Sequence, residues 1–248
     1  MNCLQLVSYL RNNILYDTGG EGVDWTTFSD DVFDSMQLRW KNEELVANIN
    51  EAIKLVYRRT HPIKDIGTID VVALTNKYSI PTYSLEIQDA KLANGKALEK
   101  VSVDALWRNQ SFLTDINEPR FYIPDMEQNY ITLYPIPSED TAITYLYYRL
   151  PTIDLDWTDN EAYPELREEF HLPMLFYAAH LCYMKDEANT IDPKRADTYL
   201  AQFDREFPPL SAYGSMRKNK TANRAIAYGG IGGAGYGTAR GGSVRRNF

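Results

Sequence analysis

Residues 40–62 read WKNEELVANINEAIKLVYRRTHP, and the rest of the chain is organised around this stretch. Asn42 is a favourable N-cap with two acidic residues after it, and two arginines close the segment. Pro62 ends it, because the residue before a proline avoids helical geometry. The pattern therefore predicts a helix over about residues 42–60. Its apolar stripe recurs at helical spacing through Leu45, Ile49, Ala52, Ile53 and Val56.

That stripe needs apolar partners, and the best candidates lie more than a hundred residues further along the chain. Helical spacing returns from Glu161 to about residue 185, with Pro164 suited to the first turn and a kink expected at Pro173. Asp192 is the expected cap of a last helix, with Pro193 at its first position. A shorter first helix is predicted at residues 3–15. The predicted core of this helical body is Trp40, Leu45, Ile49, Ile53, Val56, Phe170, Leu175, Tyr183, Leu200 and Phe203.

Between the helical segments the period of the apolar residues changes. Short runs of alternating, aromatic or β-branched residues are separated by prolines, and Asn94-Gly95 is a strong turn signal. This spacing predicts a small antiparallel sheet or barrel, with Tyr145 and Tyr147 covering one face. The predicted strand segments are residues 80–87, 98–106, 120–123, 130–134 and 142–148.

These patterns predict an α+β fold. It consists of a discontinuous helical bundle, residues about 1–60 and about 161–207, with an inserted small antiparallel β-sheet or barrel and a flexible C-terminal arm. The expected domain boundaries are 1–62 with 159–207 for the helical body, 63–158 for the β-rich insertion and 208–248 for the arm. Residues 17–31, which are Gly-rich and acidic, are predicted to form a surface loop that Trp25 and Phe28 attach to the body.

The charge of the chain is unevenly distributed. The net charge of the whole chain is −8, but the last acidic residue is Glu206 and seven basic residues follow it. Residues 1–206 therefore carry 19 basic and 34 acidic groups, a balance of −15. Nine of the fourteen glycines lie after residue 210, where aliphatic residues are scarce. Such a segment buries too little surface to offset its ordering entropy, so we expect disorder in the free protein.

No pattern of reactive residues predicts catalysis. Cys3 and Cys182 are too few for a disulfide framework or a cysteine metal site, and the three histidines lack metal-ligand spacing. The sequence DLDWTD at 154–159 opens like a calcium loop but lacks the later glycine and glutamate. The tail glycines follow no strand and lack the GK[ST] ending of a phosphate loop. We therefore predict no enzyme, no metal and no cofactor. No apolar run is long enough for a membrane span, so no membrane partner is expected either.

The basic arm has two interpretations. As a docking arm it would become ordered on a partner protein, through aromatic and cationic anchors. As a nucleic-acid arm it would neutralise phosphates and stack bases, although an acidic body repels a polyanion. The remaining alternative is that the arm is an inert linker without a binding partner. The candidate docking residues are Tyr213, Arg217, Lys218, Lys220, Arg224, Tyr228, Tyr236, Arg240, Arg245, Arg246 and Phe248.

The order of several segments resembles the head-to-tail adaptor proteins of tailed bacteriophages, over roughly residues 38–207. The helix RWKNEELVANINEAIKLVYRR precedes IPTYSLEI and then ITLYPIPSEDTAITYLYYRLP, with its aromatic-Pro-x-Pro turn at Tyr134-Pro135-Ile136-Pro137. The last helix pair carries the corner Tyr183-Met184-Lys185-Asp186, followed by Asp192-Pro193 and Ala196. The resemblance rests on order and spacing, since these motifs are structural rather than catalytic.

The resemblance implies a structural protein of the virion neck, assembled in the host cytoplasm. Its implied partners are further copies of itself in a twelve-membered ring, the portal protein above, a tail or nozzle protein below, and double-stranded DNA that passes through the lumen without specific binding. Family members send a C-terminal arm along the portal, which matches the segment after Pro208. An acidic bore would repel phosphate and let the duplex slide.

A rival from another class is a nucleic-acid-binding protein that uses the basic, disordered arm. A small metal-dependent hydrolase is a third possibility and would retain metal through dialysis. The salt dependence of DNA affinity, compared between the intact chain and a 1–207 truncation, separates the rival from the adaptor.

Overall fold

The structure, a computed structural model, describes residues 1–17, 38–106, 114–185 and 191–209. Five α-helices lie in these ranges, and α1 continues directly into a π-helical segment, Leu10–Leu15. A 3₁₀ turn, Glu168–Phe170, leads into α4. The helices are α1 (Cys3–Tyr9), α2 (Asn42–Thr60), α3 (Val103–Leu106), α4 (His171–Met184) and α5 (Pro193–Glu206).

The start of α2 differs from the prediction. Its N-cap is Lys41 rather than Asn42, and the Glu44 carboxylate accepts the Lys41 backbone N–H at 3.3 Å. Asn42 instead turns its side-chain oxygen toward the guanidinium of Arg11, which donates to it at 2.8 Å. A tertiary contact therefore uses the group that was predicted to cap the helix. The predicted end is confirmed, since α2 stops at Thr60 and His61 adopts a left-handed conformation before the proline.

The α4 segment begins later than the sequence predicted. Residues 161–167 are not helical, and the α-helix starts only at His171, so the predicted start at Glu161 and the first-turn role of Pro164 are wrong. Pro173 then lies in the first turn, where a missing N–H removes no helical hydrogen bond, and the reason for expecting a kink disappears. For α5 the prediction is confirmed: the Asp192 side chain accepts the Arg195 backbone N–H, and Pro193 occupies the first helical position.

The helices share one apolar core in which α4 packs against both α2 and α5. The indole N–H of Trp40 donates to the Cys182 carbonyl at 3.1 Å, and its ring meets Tyr183 edge-on at 5.6 Å between centroids. The Tyr199 hydroxyl donates to the Ile14 carbonyl at 2.9 Å, which joins the N-terminal segment to α5. Segments from both ends of the chain therefore build a single body.

Nine strands lie between the helical segments in the described residues. Seven form one sheet in the order β1-β9-β3-β4-β6-β7-β2, antiparallel except for the β4–β6 pair, and β5 and β8 form a separate parallel pair. The sheet curls into a nearly closed barrel, and the mixed α+β class is confirmed. The strands are β1 (Lys64–Val71), β2 (Lys77–Ser79), β3 (Ser84–Leu92), β4 (Ala97–Lys100), β5 (Ile116–Asn117), β6 (Phe121–Ile123), β7 (Tyr130–Tyr134), β8 (Ile136–Pro137) and β9 (Thr141–Arg149).

A second apolar core fills the inside of this curled sheet. Tyr145 and Tyr147 of β9 both point into it, with ring centroids 5.3 Å apart. Gly67 of β1 lies directly beneath the Tyr145 ring, since an added Cβ there would fall 2.3 Å from the ring. The Tyr78 hydroxyl contacts the Val72 backbone, so the two edge strands approach each other at this end. The buried side chains include Val71, Ile87, Leu92, Leu98, Tyr122, Ile131, Leu133 and Ile143.

Three parts of the predicted strand pattern are wrong. The predicted strand 80–87 is displaced, because β3 begins only at Ser84 and continues to Leu92. The run 98–106 is divided, because the strand ends at Lys100 and Val103–Leu106 is helical. The structure also has a long strand, β1, in a stretch for which no strand was predicted. The chain as a whole separates into a unit Met1–Phe207 and a unit Pro208–Phe248, and only residues 208 and 209 of the second are described.

Candidate interaction surfaces

A polar junction connects the end of β9 to the helical body. The Arg149 guanidinium donates to the Glu165 carboxylate with two nitrogens, at 2.8 Å through Nη1, and its Nε lies 3.4 Å from Asp65. The Tyr57 hydroxyl of α2 donates to the Glu165 carbonyl, and Glu165 also accepts the Thr152 backbone N–H at 3.2 Å. Because Glu165 lies in the loop before α4 and its carboxylate binds Arg149 of the sheet, this residue fixes the loop and the sheet against each other.

Replacing Glu165 with glutamine should lower the melting temperature near neutral pH, and this difference should shrink in acid. The hydrogen bonds from Arg149 hold the pKa of Glu165 below its ordinary value of 4.5. A depressed carboxylate pKa stabilises the fold above the unfolded-state pKa, and the contribution is lost as pH falls through the folded-state pKa. Thermal unfolding of both forms from pH 7 to pH 3 measures the effect. Glu99→Gln, at an exposed site of β4, is the matched control. Its melting temperature should stay close to that of the wild type at every pH.

A buried ionic network holds the N-terminal segment onto α2. The Arg11 side chain is fully buried, and its Nη1 lies 2.5 Å from Asp17 Oδ2. Its Nη2 donates to the Trp40 carbonyl at 2.5 Å and to Asn42. Asp17 in turn accepts the Arg39 backbone N–H at 3.0 Å. Every charged group here has hydrogen-bond partners, which is the condition under which a buried ion pair is tolerated.

Sequence patterns did not predict this network. Asp17 was assigned to an exposed acidic loop, but it is 7% exposed. The remainder of that loop, with Trp25 and Phe28, lies outside the described residues. The one available signal was Arg11 itself, a charged residue at a position of helical spacing otherwise taken by apolar side chains.

The predicted core residues of the helical body have the following positions. Trp40, Leu45, Ile49, Val56, Leu175 and Phe203 are fully buried, and Ile53 and Tyr183 nearly so. Phe170 is half-buried and packs against the same core, and Leu200 is half-buried on α5. All eleven predicted docking residues of the arm, from Tyr213 to Phe248, lie outside the described residues.

The described side chains do not form a recognisable catalytic arrangement. Burial raises the pKa of Cys3 to about 11 and that of Cys182 to about 12, so neither thiol is a ready nucleophile. His180 Nδ1 is 2.9 Å from the Ala196 carbonyl and joins α4 to α5. Asp156 accepts hydrogen bonds from Thr158 within its own turn. Among the described residues, no group of three His, Cys, Asp or Glu side chains is placed to hold a metal ion.

Exposed apolar side chains are the more informative surface feature. Some lie on the helical body and its connecting loops, as Tyr16, Ile153 and Tyr163 do. Ile66 is exposed on β1 of the sheet, where it lines a cavity of about 380 Å³ together with the partly buried Leu146. Val72, Leu74 and Ile116 are more than half exposed at the end of the sheet away from the Arg149 junction. Apolar side chains that are exposed close together at one end of a sheet are a candidate surface for contact with another protein.

Comparison with known proteins agrees with this assessment. The family model described as SU10 adaptor protein matches residues 1–226, which is most of the chain. A comparison with curated proteins finds no significant match. In the part of the chain that the structure covers, every helix is too short or too polar to cross a membrane. The chain thus belongs to the SU10 adaptor protein family, a family of phage head-to-tail adaptors with a structural role in the virion.

Proposed function

We propose that this protein forms a twelve-membered ring beneath the portal, joins the capsid to the tail and continues the DNA channel. The observation that carries the proposal is the family match over residues 1–226, which extends beyond the body into the first part of the arm. That part contains Tyr213 and the first four basic residues of the arm. In this proposal the arm, residues 208–248, docks on the portal and the body forms the ring.

The charge distribution supports a channel. The balance of −15 over residues 1–206 leaves surplus carboxylates, because ion pairs already occupy many of the described lysines and arginines. Lys54 pairs with Asp154 at 2.9 Å and Lys185 with Glu44 at 2.6 Å, so these cations are not available for phosphate. A bore with an acidic surface repels DNA phosphates and does not retain the duplex as it passes.

A closed ring of identical copies needs two different complementary faces on each subunit. In the proposed arrangement the helical body supplies both, using exposed apolar residues such as Tyr16, Ile153 and Tyr163. The β-sheet then remains available for the next tail component. The junction at Arg149 and Glu165 would hold the sheet in a fixed orientation relative to the ring, because it links β9 directly to the loop before α4.

Electron microscopy of the protein mixed with its portal ring tests the proposal, using the intact chain and a 1–207 truncation. We expect the intact chain, but not the truncated one, to add a second ring below the portal. A ring with both forms would keep the adaptor role and move the docking surface to the body. Portals that gain no ring from either form would overturn the proposal.

A second function, nucleic-acid binding by the arm, is favoured by one observation. Seven basic residues and no acidic residue follow Glu206, with Tyr228 and Tyr236 between them. If it is correct, DNA affinity should fall steeply with salt for the intact chain and be nearly absent for the 1–207 truncation. The adaptor proposal predicts weak DNA affinity for both forms, since the body is acidic.

A further inference from the structure

The end of the sheet opposite the Arg149 junction carries an apolar patch, which we call the tip patch: Val72, Leu74 and Ile116. Their exposed fractions are 56%, 68% and 52%. Leu74 and Ile116 lie beside the same short strand, β8. The Leu74 backbone N–H donates to the Pro137 carbonyl at 2.8 Å, and Ile116 is level with Ile136 in the β5–β8 pair. Scattered apolar residues need no explanation, but two beside one strand, with a third two residues away from Leu74 in the same loop, indicate a contact surface.

The loop that presents the patch is held rigidly. The Tyr78 hydroxyl donates to the Thr75 carbonyl at 2.6 Å and also contacts the Val72 backbone. The Asp140 carboxylate accepts the Ala73 backbone N–H at 2.7 Å, and the Asn76 carbonyl accepts the Leu133 N–H at 2.7 Å. A surface that is already ordered loses little entropy when it binds, which favours affinity.

Leu74 occupies a backbone conformation that leucine disfavours. Its φ is 64°, in the left-handed region where Asn, Asp and Gly are common and larger side chains are rare. The backbone alone would favour Asn at this position, and yet an exposed leucine is present. With 68% of the residue exposed, its side chain gains little from burial in the described chain, so the apolar group is better explained by a partner that covers it.

The surroundings of the patch are acidic. The three segments that form this end of the sheet, residues 70–76, 114–118 and 134–141, contain no lysine or arginine. They contain five carboxylates, of which Glu118 pairs with Lys96 of the β3–β4 turn. The five are Asp70, Asp115, Glu118, Glu139 and Asp140.

We infer that the tip patch docks into an apolar socket with a lysine- or arginine-rich rim on the tail protein below the ring. This inference rests on the proposed adaptor function and assigns the tail-side contact to named residues. An apolar centre with a charged rim of one sign is complementary to a socket with the opposite sign around it. A second copy of this chain is a poorer occupant, because residues 1–206 of that copy carry a balance of −15 and would repel an acidic rim.

The test uses a phage that lacks this gene and receives the protein from a plasmid. The variant Leu74→Asn with Ile116→Asn removes two apolar groups, and Asn suits the φ of residue 74, so the melting temperature should not fall. We expect at least about tenfold fewer tailed particles by negative-stain microscopy, because loss of an interface hot spot weakens binding by at least that factor. Heads that end in the adaptor ring should take their place. Met126→Asn is the matched control, since Met126 is exposed in the turn at the other end of β7.

Three results would overturn the inference. Normal numbers of tailed particles would show that the patch does not carry the tail contact. Heads without an adaptor ring would assign the patch to contacts between copies or with the portal, while leaving the proposed function intact. For the charge of the rim, Asp70→Lys with Glu139→Lys should also reduce tailed particles, and a normal yield from this pair would contradict a cationic socket. Failure of the wild-type protein to form a ring on the portal is a separate result and rejects the adaptor function itself.

Discussion

Replacing Asp17 with alanine is expected to lower the free energy of unfolding by about 3–5 kcal/mol, the range measured when one partner of a buried ion pair is removed. The cost arises because the Arg11 guanidinium would remain buried without its counter-charge. Burial already lowers the pKa of Arg11, and the Asp17 carboxylate opposes that effect. The same substitution also leaves the backbone N–H of Arg39 without its acceptor.

Urea unfolding at neutral pH measures this loss. Arg205→Ala is the control, because Arg205 pairs with Glu206 on the surface with its side chain 80% exposed, and exposed pairs contribute about 0–1 kcal/mol. A loss below about 1 kcal/mol for Asp17→Ala would mean that water reaches Arg11 and that the network is not a buried one. Replacing Arg11 with methionine as well should recover part of the loss, since an uncharged pair has no uncompensated charge to bury.

The sequence predicted those elements that local chemistry determines. The α2 stripe, the Pro62 stop and the Asp192-Pro193 start of α5 depend on neighbouring residues, and each is present in the structure. Predictions became wrong where a distant contact competed with a local preference. Asn42 is a good N-cap, but Arg11 binds its side chain, so Lys41 takes the cap position.

The β-rich part shows the same limit. Alternation of apolar residues predicted several strands but missed β1, which has a glycine, Gly67, at an inward position where an apolar side chain would be expected. A glycine is needed there because the Tyr145 ring, about eighty residues away in the sequence, occupies the space. The tip patch could not be predicted either. Val72, Leu74 and Ile116 are ordinary apolar residues in the sequence, and only the pairing of β5 with β8 brings their loops together. The arm residues were chosen only for their positive charge or aromatic side chain, and their docking role stays a prediction.

Replacing Phe203 with alanine should lower the free energy of unfolding by about 3–5 kcal/mol, as expected for a large aromatic deleted from a core. Phe203 is fully buried on α5, with its ring centroid 5.2 Å from that of Tyr177 and 5.0 Å from that of Phe207. The Arg59 guanidinium lies 4.9 Å above the ring, so the cavity would also remove a cation–π contact. Leu200→Ala, at a half-buried site on the same helix, should cost clearly less.

The position of Phe203 also makes this variant informative about the last turn of α5. Arg59 binds the Asp204 carboxylate at 2.5 Å and the Phe207 carbonyl at 2.6 Å, so α2 holds the last turn of α5 directly before the arm begins. Loss of the Phe203 side chain should therefore loosen that turn first. Amide hydrogen exchange should then accelerate more in α5 than in α2. Equal acceleration in both helices would indicate that α5 unfolds only together with the whole body. In that case α5 belongs to the same cooperative unfolding unit as α2, and stability does not decrease toward the last helix of the body.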